Sequence, residues 1–476
     1  MQGSSPVGIG ANAGGTLLRL LRSRRNLIAL LAVVVAVQAG VIAHRRMTHL
    51  GDFDVSREFG RRVLAGEPLY AGGLHYPYMP TAALYFAPLA WLPPGLGLAV
   101  RYAAALACLW LTLRMLHTMV SARSPALAGD AVGLAGLTLA FASHYVLRDL
   151  DDGGPHIILL AMVVGGMYAL WRGRSAAAAA WFGLAAALKA PNALFLAYFA
   201  WKRQWRLAAL SSAALLAWMV LPAVWMGPSA WWQHQGQWLR VALASAVGAP
   251  AGGARESEER VQNQALRQVL TRYCSAAIGR SSAVEGAASA APWPRGSAAL
   301  QEERSAIADH LPTLGVLTVI ALFAWWSRRP LRLVDPMGGA ASAAPWPRGS
   351  AALDTAQPAR ARAETVAPVV EGQRERDRWL AEASALLILS VLLAPVAWIQ
   401  HLVVVIPALY VIAARRRLGE LSGAATAAMA VYFVLAILLN REILGRERYL
   451  FLLAYGLHTW AMLIVLAGLS PRSRSV

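Results

Sequence analysis

Stretches such as 26–43, 96–113, 131–147, 206–225 and 422–439 are almost uninterrupted apolar residues, and runs of that length do not belong to an ordinary soluble core. About 20 apolar residues in a helix cross a hydrocarbon layer roughly 30 Å thick. A soluble chain of 476 residues would divide into two or three cores. Here lipid supplies the apolar medium, and the sequence predicts an all-α, polytopic transmembrane helical bundle. The bulk figures agree, with 57% hydrophobic residues, 14% charged residues and a mean hydropathy of +0.47.

Further runs cover 155–171, 176–188, 191–201, 309–326, 380–397, 402–414 and 449–468, which makes about twelve spans in all. Arg19, Arg22, Arg24 and Arg25 precede the first run and set the N-terminus in the cytoplasm. That run is longer than the usual h-region of a signal peptide and reads as an uncleaved anchor. Connections assigned inside carry Arg114 and Arg123, Arg172 and Arg174, Lys202 with Arg203 and Arg206, Arg328 with Arg329 and Arg332, and Arg415 to Arg417. Both termini are then cytoplasmic, against which only Arg441, Arg446 and Arg448 weigh. The expected location is a bacterial cytoplasmic membrane.

Two segments are too short for a simple span. Residues 80–92 and the pair 176–188 and 191–201, with Lys189 at its apex, predict re-entrant or interfacial helices on the outer face. The expected organisation is a tail over 1–25, an N-terminal membrane module over 26–225 with a catalytic outer loop at 44–95, an outer loop over 226–308, a span at 309–326, a cytoplasmic linker over 327–379 and a C-terminal membrane module over 380–476. The string GAASAAPWPRGSAAL occurs at 286–300 and again at 339–353 and reads as a low-complexity loop insertion. In the outer loop, SEERVQNQALRQVLTRY has helical spacing, with Val261, Leu266, Val269 and Leu270 on one face.

The formal charge of +19 would suggest nucleic acid in a soluble protein. Lys189 and Lys202 are the only lysines, however, and most arginines flank apolar runs, so orientation signals explain the charge and no nucleic-acid partner is expected. Cys108 and Cys274 imply no disulfide framework. No Cys/His cluster has metal-ligand spacing, and neither a metal nor a cofactor is expected.

The outer face collects polar residues that no span requires: Asp52 and Asp54, then Arg148, Asp149, Asp151, Asp152 and His156, then Lys189, then His401. That is a candidate site at the membrane-water boundary. The bland readings stand beside it. Asp52 would cap the helix FDVSREFGRRVLA, Asp54 would pair with Arg57, Lys189 with one of Asp149, Asp151 or Asp152, and His401 would be an interfacial residue at a span end. Tyr70, Tyr76 and Tyr78 read as part of an aromatic belt at the interface.

DFDVSREFGRRVLAGEPLY followed by YPYMPTAALYFAPLAWLP resembles the aspartate-bearing first outer loop of glycosyltransferase family 87, membrane enzymes of the GT-C type. RDLDDGGPHIILL lies where that family tends to show a GQ-x-N stretch, GLAAALKAPNALFLAYFAWKRQWR resembles its Lys-Pro hairpin, NQALRQVLTR its Asn-Gln-Ser-Leu stretch, and APVAWIQH its Ser-Pro-x-Ser-Trp-x-His-His. The resemblance runs from Asp52 to His401. Departures fall at polar positions: Gly154 and Pro155 stand where Gln is expected, Ala265, Ala394 and Ala397 for serines, and Gln400 for a histidine.

The resemblance implies transfer of a hexose, typically mannose, from a polyprenyl-phosphate donor to a glycolipid or glycan hydroxyl on the outer face. It makes Asp52 the general base, with Asp54 the alternative within two residues. A departing phosphate needs cations or donors, for which Lys189 and His401 are candidates, with Arg148 a weaker one. Tyr70, Tyr76, Tyr78, His156 and Asn263 are candidates for substrate contacts. A transporter or lipid flippase, and an undecaprenyl-linked glycan ligase or polymerase, remain open alternatives.

Overall fold

The computed structural model describes residues 51–70, 78–247, 261–277, 298–331 and 359–469, with isolated positions between 33 and 44. The first apolar run, Tyr76 and nearly all of both 15-residue repeats lie outside the described residues. Every regular element among the described residues is helical.

Helix α1 (Asp52–Ala65) is amphipathic. Phe53, Phe59 and Val63 are buried along one side, while Arg61, Glu58 and Glu67 pair on the other, with Arg61 to Glu67 at 2.6 Å. Gly66 at φ 67° ends the helix in the left-handed conformation that glycine takes most readily. α1 packs on α2 (Thr81–Trp91). Eleven helical residues rise only roughly 16 Å, so α2 is too short to cross a membrane alone, as its sequence predicts. Thr81 ties it to the Trp218 carbonyl at 3.2 Å. The two helices touch where Gly60 meets the Phe86 backbone; a Cβ on Gly60 would lie 2.5 Å from the Phe86 carbonyl oxygen.

The bundle follows: α3 (Pro94–Ser121), α4 (Ala131–Asp152), α5 (His156–Trp171), α6 (Ser175–Leu188), α7 (Leu194–Trp201) and α8 (Trp205–Val220). Between α6 and α7, Lys189 and a 3-10 turn at Ala190–Ala193 form the apex of a hairpin. Among the described residues, four helical stretches are long and apolar enough to cross a membrane, Pro94–Ser121, Ala131–Asp152, Trp205–Met226 and Ile399–Arg417, and a fifth counts if a bent pair is one span. Four shorter apolar helices accompany them, including α5 and α6. The twelve runs of the sequence are therefore not twelve straight helices. Ile399–Arg417 is almost wholly buried, whereas less than a third of each of the other three is buried, which places it at the bundle centre. The exposed side chains of 205–225 include Trp205, Leu216, Val224 and Trp225, an apolar surface suited to lipid.

The outer-loop segment departs from a single helix. Among the described residues of that segment, 261–262 and α9 (Leu266–Ala277) are helical, with a break at 263–265. The break is built by side-chain chemistry: Asn263 Oδ1 accepts from the Ala265 and Ala397 N–H groups at 3.0 and 2.9 Å. The apolar run 380–397 also stops early. Helix α10 (Ala359–Leu392) ends at Leu392, before Pro395, and a 3-10 segment Ile399–Val405 leads into α11 (Ile406–Arg417). The run 449–468 is two helices, Arg446–Ala454 and Leu457–Gly468, bent by 56°.

Arginine-bearing connections gather at one end of the bundle. Arg123 bridges Asp377 and Glu420, each at 2.8 Å, and Arg417 meets Asp130 at 2.8 Å. There Lys202 is buried, 2.6 Å from Glu382, whose carboxylate also accepts from Tyr198 at 2.6 Å. Lys202 further donates to the Ser327 and Arg329 carbonyls. This grouping matches the same-side assignment made from charge.

Removing one member of a buried ion pair leaves an uncompensated charge costing about 3–5 kcal/mol, whereas an exposed pair is worth about 0–1. Lys202→Met is expected to lower the detergent melting temperature sharply and Arg61→Ala hardly at all. Gly60→Val, which drives a side chain into the Phe86 backbone, is expected to cost about 1–3 kcal/mol by the same measurement.

Candidate active site at the polar end of the bundle

The opposite end of the bundle carries the other polar cluster, and Asp149 is its most enclosed member. Its carboxylate is fully buried at 0% exposure. Oδ2 receives the Arg101 Nη2 at 3.3 Å and the Ile157 N–H at 3.3 Å; Oδ1 receives the His156 N–H at 3.3 Å and the His156 ring at 2.8 Å. Local sequence makes this possible. α4 ends at Gly153, φ 73°, and the turn at Gly154 and Pro155 starts α5 with its free N–H groups facing the carboxylate. A Cβ at Gly154 would lie 3.0 Å from Asp149 Oδ1 and nearer still to the His156 ring, so the close approach requires glycine.

A carboxylate only accepts, so His156 Nδ1–H donates to Asp149 and Nε2 accepts from the Tyr78 hydroxyl at 3.1 Å. Tyr78 is itself held, its carbonyl accepting from Tyr70 Oη at 2.7 Å. The Lys189 ammonium sits over the Tyr78 ring, 5.5 Å from its centroid. Among the described residues Lys189 has no carboxylate within ion-pair distance. Asp149 is taken by Arg101 and His156, while Asp151 and Asp152 pair with Arg148 at 3.8 and 3.0 Å. The lysine ion pair expected as the bland reading is absent among these residues, and Arg148 is occupied.

His401 is buried rather than interfacial. Its ring lies 4.2 Å from that of His156, and its Nδ1 accepts from the Trp398 N–H at 3.3 Å. His156, Lys189, Asn192, Ser390 and His401 line one end of a cavity of about 30 Å³, walled otherwise by aliphatic side chains such as Leu159, Leu387 and Val391. That volume suits a water or two. Ligand pockets usually measure hundreds of Å³, so a sugar would have to displace these walls or sit at the mouth.

The two first-loop aspartates have different surroundings. Asp54 occupies the third position of α1 and accepts from the Gly51 N–H at 3.0 Å; it, not Asp52, makes the cap. Asp52 is the first helical residue, and its Oδ2 accepts from Gln400 Nε2 at 3.1 Å, across 348 residues of sequence. Burial pushes the Asp52 carboxyl above the ordinary aspartate range and the Gln400 hydrogen bond opposes that rise. The charge of Asp149 adds to it, and those of Lys189 and Arg148 oppose it. Asp52, Lys189, His156 and His401 are thus gathered at one end.

Asn263 is engaged in the fold. Besides its two accepted bonds it donates to the Pro395 carbonyl at 3.0 Å, and the neighbouring Gln264 N–H donates to Ala397 O at 2.7 Å. Gln400 was not singled out as a site residue. Its place beside His401, where the resembling pattern has a histidine, was the available signal. Arg101 was missed as well, hidden as one more arginine near a helix start.

The family model described as glycosyltransferase family 87 matches residues 76–344, more than half of the chain. Lys189, Arg148, His156 and Asn263 lie inside the matched segment, while Asp52, Gln400 and His401 lie outside it. One relative is a polyprenol-phosphate-mannose-dependent alpha-(1-2)-phosphatidylinositol mannoside mannosyltransferase of Mycobacterium tuberculosis, 28% identical over 240 residues. The alignment covers 44% of this chain and 55% of that relative, so the chain spans about half the relative's length. No solved structure matches. With an all-helical, lipid-suited bundle and a family model matched across its centre, the chain belongs to glycosyltransferase family 87.

Proposed function

We propose that the protein transfers a hexose, mannose in the first instance, from a polyprenyl-phosphate donor to a glycolipid or glycan hydroxyl, with inversion, at the outer face of a bacterial cytoplasmic membrane. The observation that carries this reading is the gathering of Asp52, Lys189 and His401 at one end of the bundle, from three distant parts of the chain. The mannose-dependent relative supports the choice of sugar. A GT-C-like plan of about twelve spans with both termini cytoplasmic belongs to the same reading.

In this scheme Asp52 takes the acceptor O–H proton as the new C1–O bond forms. The bond between C1 and the phosphate oxygen breaks on the opposite face, and the phosphate leaves with the bonding electrons. Its growing charge is met by the Lys189 ammonium, with His401 donating from its Nε2–H, the tautomer set by the Trp398 contact. A cation in a low-dielectric site with no carboxylate at ion-pair distance among the described residues serves an anion well. Tyr78 presents its ring to Lys189, and Tyr70 is a further candidate for contact with the acceptor.

The reading is tested by transfer of labelled mannose from polyprenyl phosphate in membranes. Asp52→Asn is expected to reduce turnover by about 10²–10⁴-fold, and Asp54→Asn to keep turnover with little loss of stability, since its amide oxygen still accepts from the Gly51 N–H. Equal activity of Asp52→Asn and the unmutated protein would remove the base. Lys189→Met is expected to lower kcat by about 10²–10³-fold. Because the base works ionised and its carboxyl titrates above the ordinary range, activity is expected to fall with decreasing pH before ordinary aspartates protonate, a limb read from kcat/KM against pH. No transfer from any hexosyl donor would favour the transporter alternative.

A further inference from the structure

A carboxylate on the first turn of a surface helix has rotational freedom, and a general base must present one oxygen to one hydroxyl. The side chain that restricts Asp52 is Gln400, itself buried at 7% exposure. Gln400 is in turn fixed through its backbone. The preceding turn is clamped by Asn263 Oδ1 to Ala397 N at 2.9 Å, by Asn263 Nδ2 to Pro395 O at 3.0 Å and by Gln264 N to Ala397 O at 2.7 Å. The following residue, His401, is locked between the Trp398 N–H and the His156 ring. Gln264 is buried and further donates to the Leu453 carbonyl at 2.9 Å. A long, rotamer-rich amide therefore reaches Asp52 from a backbone held on both sides.

We propose that Gln400 is a positioning residue for the general base: it holds Oδ2 of Asp52 and turns Oδ1 toward the acceptor hydroxyl. The inference rests on the reading of Asp52 as that base. A hydrogen bond donated to the ionised carboxylate also favours that form, which offsets part of the effect of burial on Asp52. The role requires a donor at this position, not merely a side chain of the right size. Asn263 and Gln264 act one step further out, by fixing the turn.

The test is a kcat/KM profile against pH for transfer of mannose from polyprenyl phosphate, measured with the full chain in membranes. The variants are Gln400→Met, Gln400→Glu and Gln400→His. Gln400→Met keeps length without a donor and is expected to lower kcat about tenfold or more, with the donor KM little changed and the acidic limb moved to higher pH. Gln400→Glu is isosteric and sets a second carboxyl beside the first; the pair shares a proton, and its limb is expected to move higher still. Gln400→His restores a donor and is expected to recover most of the rate.

A limb that stays in place in Gln400→Met and Gln400→Glu, whatever happens to kcat, would overturn the positioning role and leave Gln400 as packing. If Gln400→Met fails to fold, shown by its melting temperature, the isosteric Gln400→Glu decides alone. If the unmutated protein transfers nothing, the reading of Asp52 falls first, and the inference with it. If Asp52→Asn is inactive while the Gln400 variants behave as the unmutated protein does, only the inference falls.

Discussion

A fully buried carboxylate holds the polar end of this molecule together. In a low-dielectric interior an unpaired charge is costly, and even a paired one needs its remaining lone pairs filled. Asp149 meets that requirement with the Arg101 guanidinium, two N–H groups at the start of α5, and the His156 ring. α3, α4 and α5 are thereby tied at one level. His156 then passes the constraint on, to Tyr78 through its second nitrogen and to His401 through ring contact. Lys189 rests on Tyr78. Loss of Asp149 would release each of these groups in turn.

The same rule shapes the opposite end. Lipid offers no hydrogen bonds, so polar groups in a membrane bundle must find partners within the protein. Lys202, Glu382 and Tyr198 do so with the carbonyls of Ser327 and Arg329, stapling α7 and α10 to the connection after residue 326. Arg123, Asp377 and Glu420 add a second tie. The two polar layers differ in one respect. The Lys202 layer matches its lysine to a carboxylate, whereas the layer around Asp149 leaves Lys189 over an aromatic face. A cation with no carboxylate at ion-pair distance among the described residues, beside two histidines and a small cavity, is what distinguishes a place for an anion from a structural staple.

The helices were legible because apolar runs of spanning length have few alternatives, and the hairpin at Lys189 because each arm is too short. Where apolar runs failed as guides, backbone chemistry interrupts them: Pro395 stops α10 before the run ends, and Gly456 at φ 72° sits at the bend in the last one. The helical spacing around Val261 hid the break at Asn263, since periodicity records side-chain faces and not where a side chain steals backbone N–H groups. The Asp52 to Gln400 contact was legible only through the resemblance that set the first-loop aspartate and the turn at His401 in one site; residue spacing does not encode a pairing across 348 residues. The contrast between Asp52 and Asp54 was legible only as a question, because both lie in the first turn of the same helix and only packing decides which one caps it.

The central claim is that the first-loop carboxylate and the turn at 399–401 face each other around the Asp149 network. It can be measured directly in membranes by placing cysteines at positions 52 and 400, replacing Cys108 and Cys274 with serine, and introducing a protease site within 339–353. After a short thiol-specific crosslinker and cleavage, the fragments are expected to remain joined for the 52/400 pair and to separate for a 61/400 control pair about two and a half turns further along α1. Equal linking in the two pairs, or none in the first, would contradict the account.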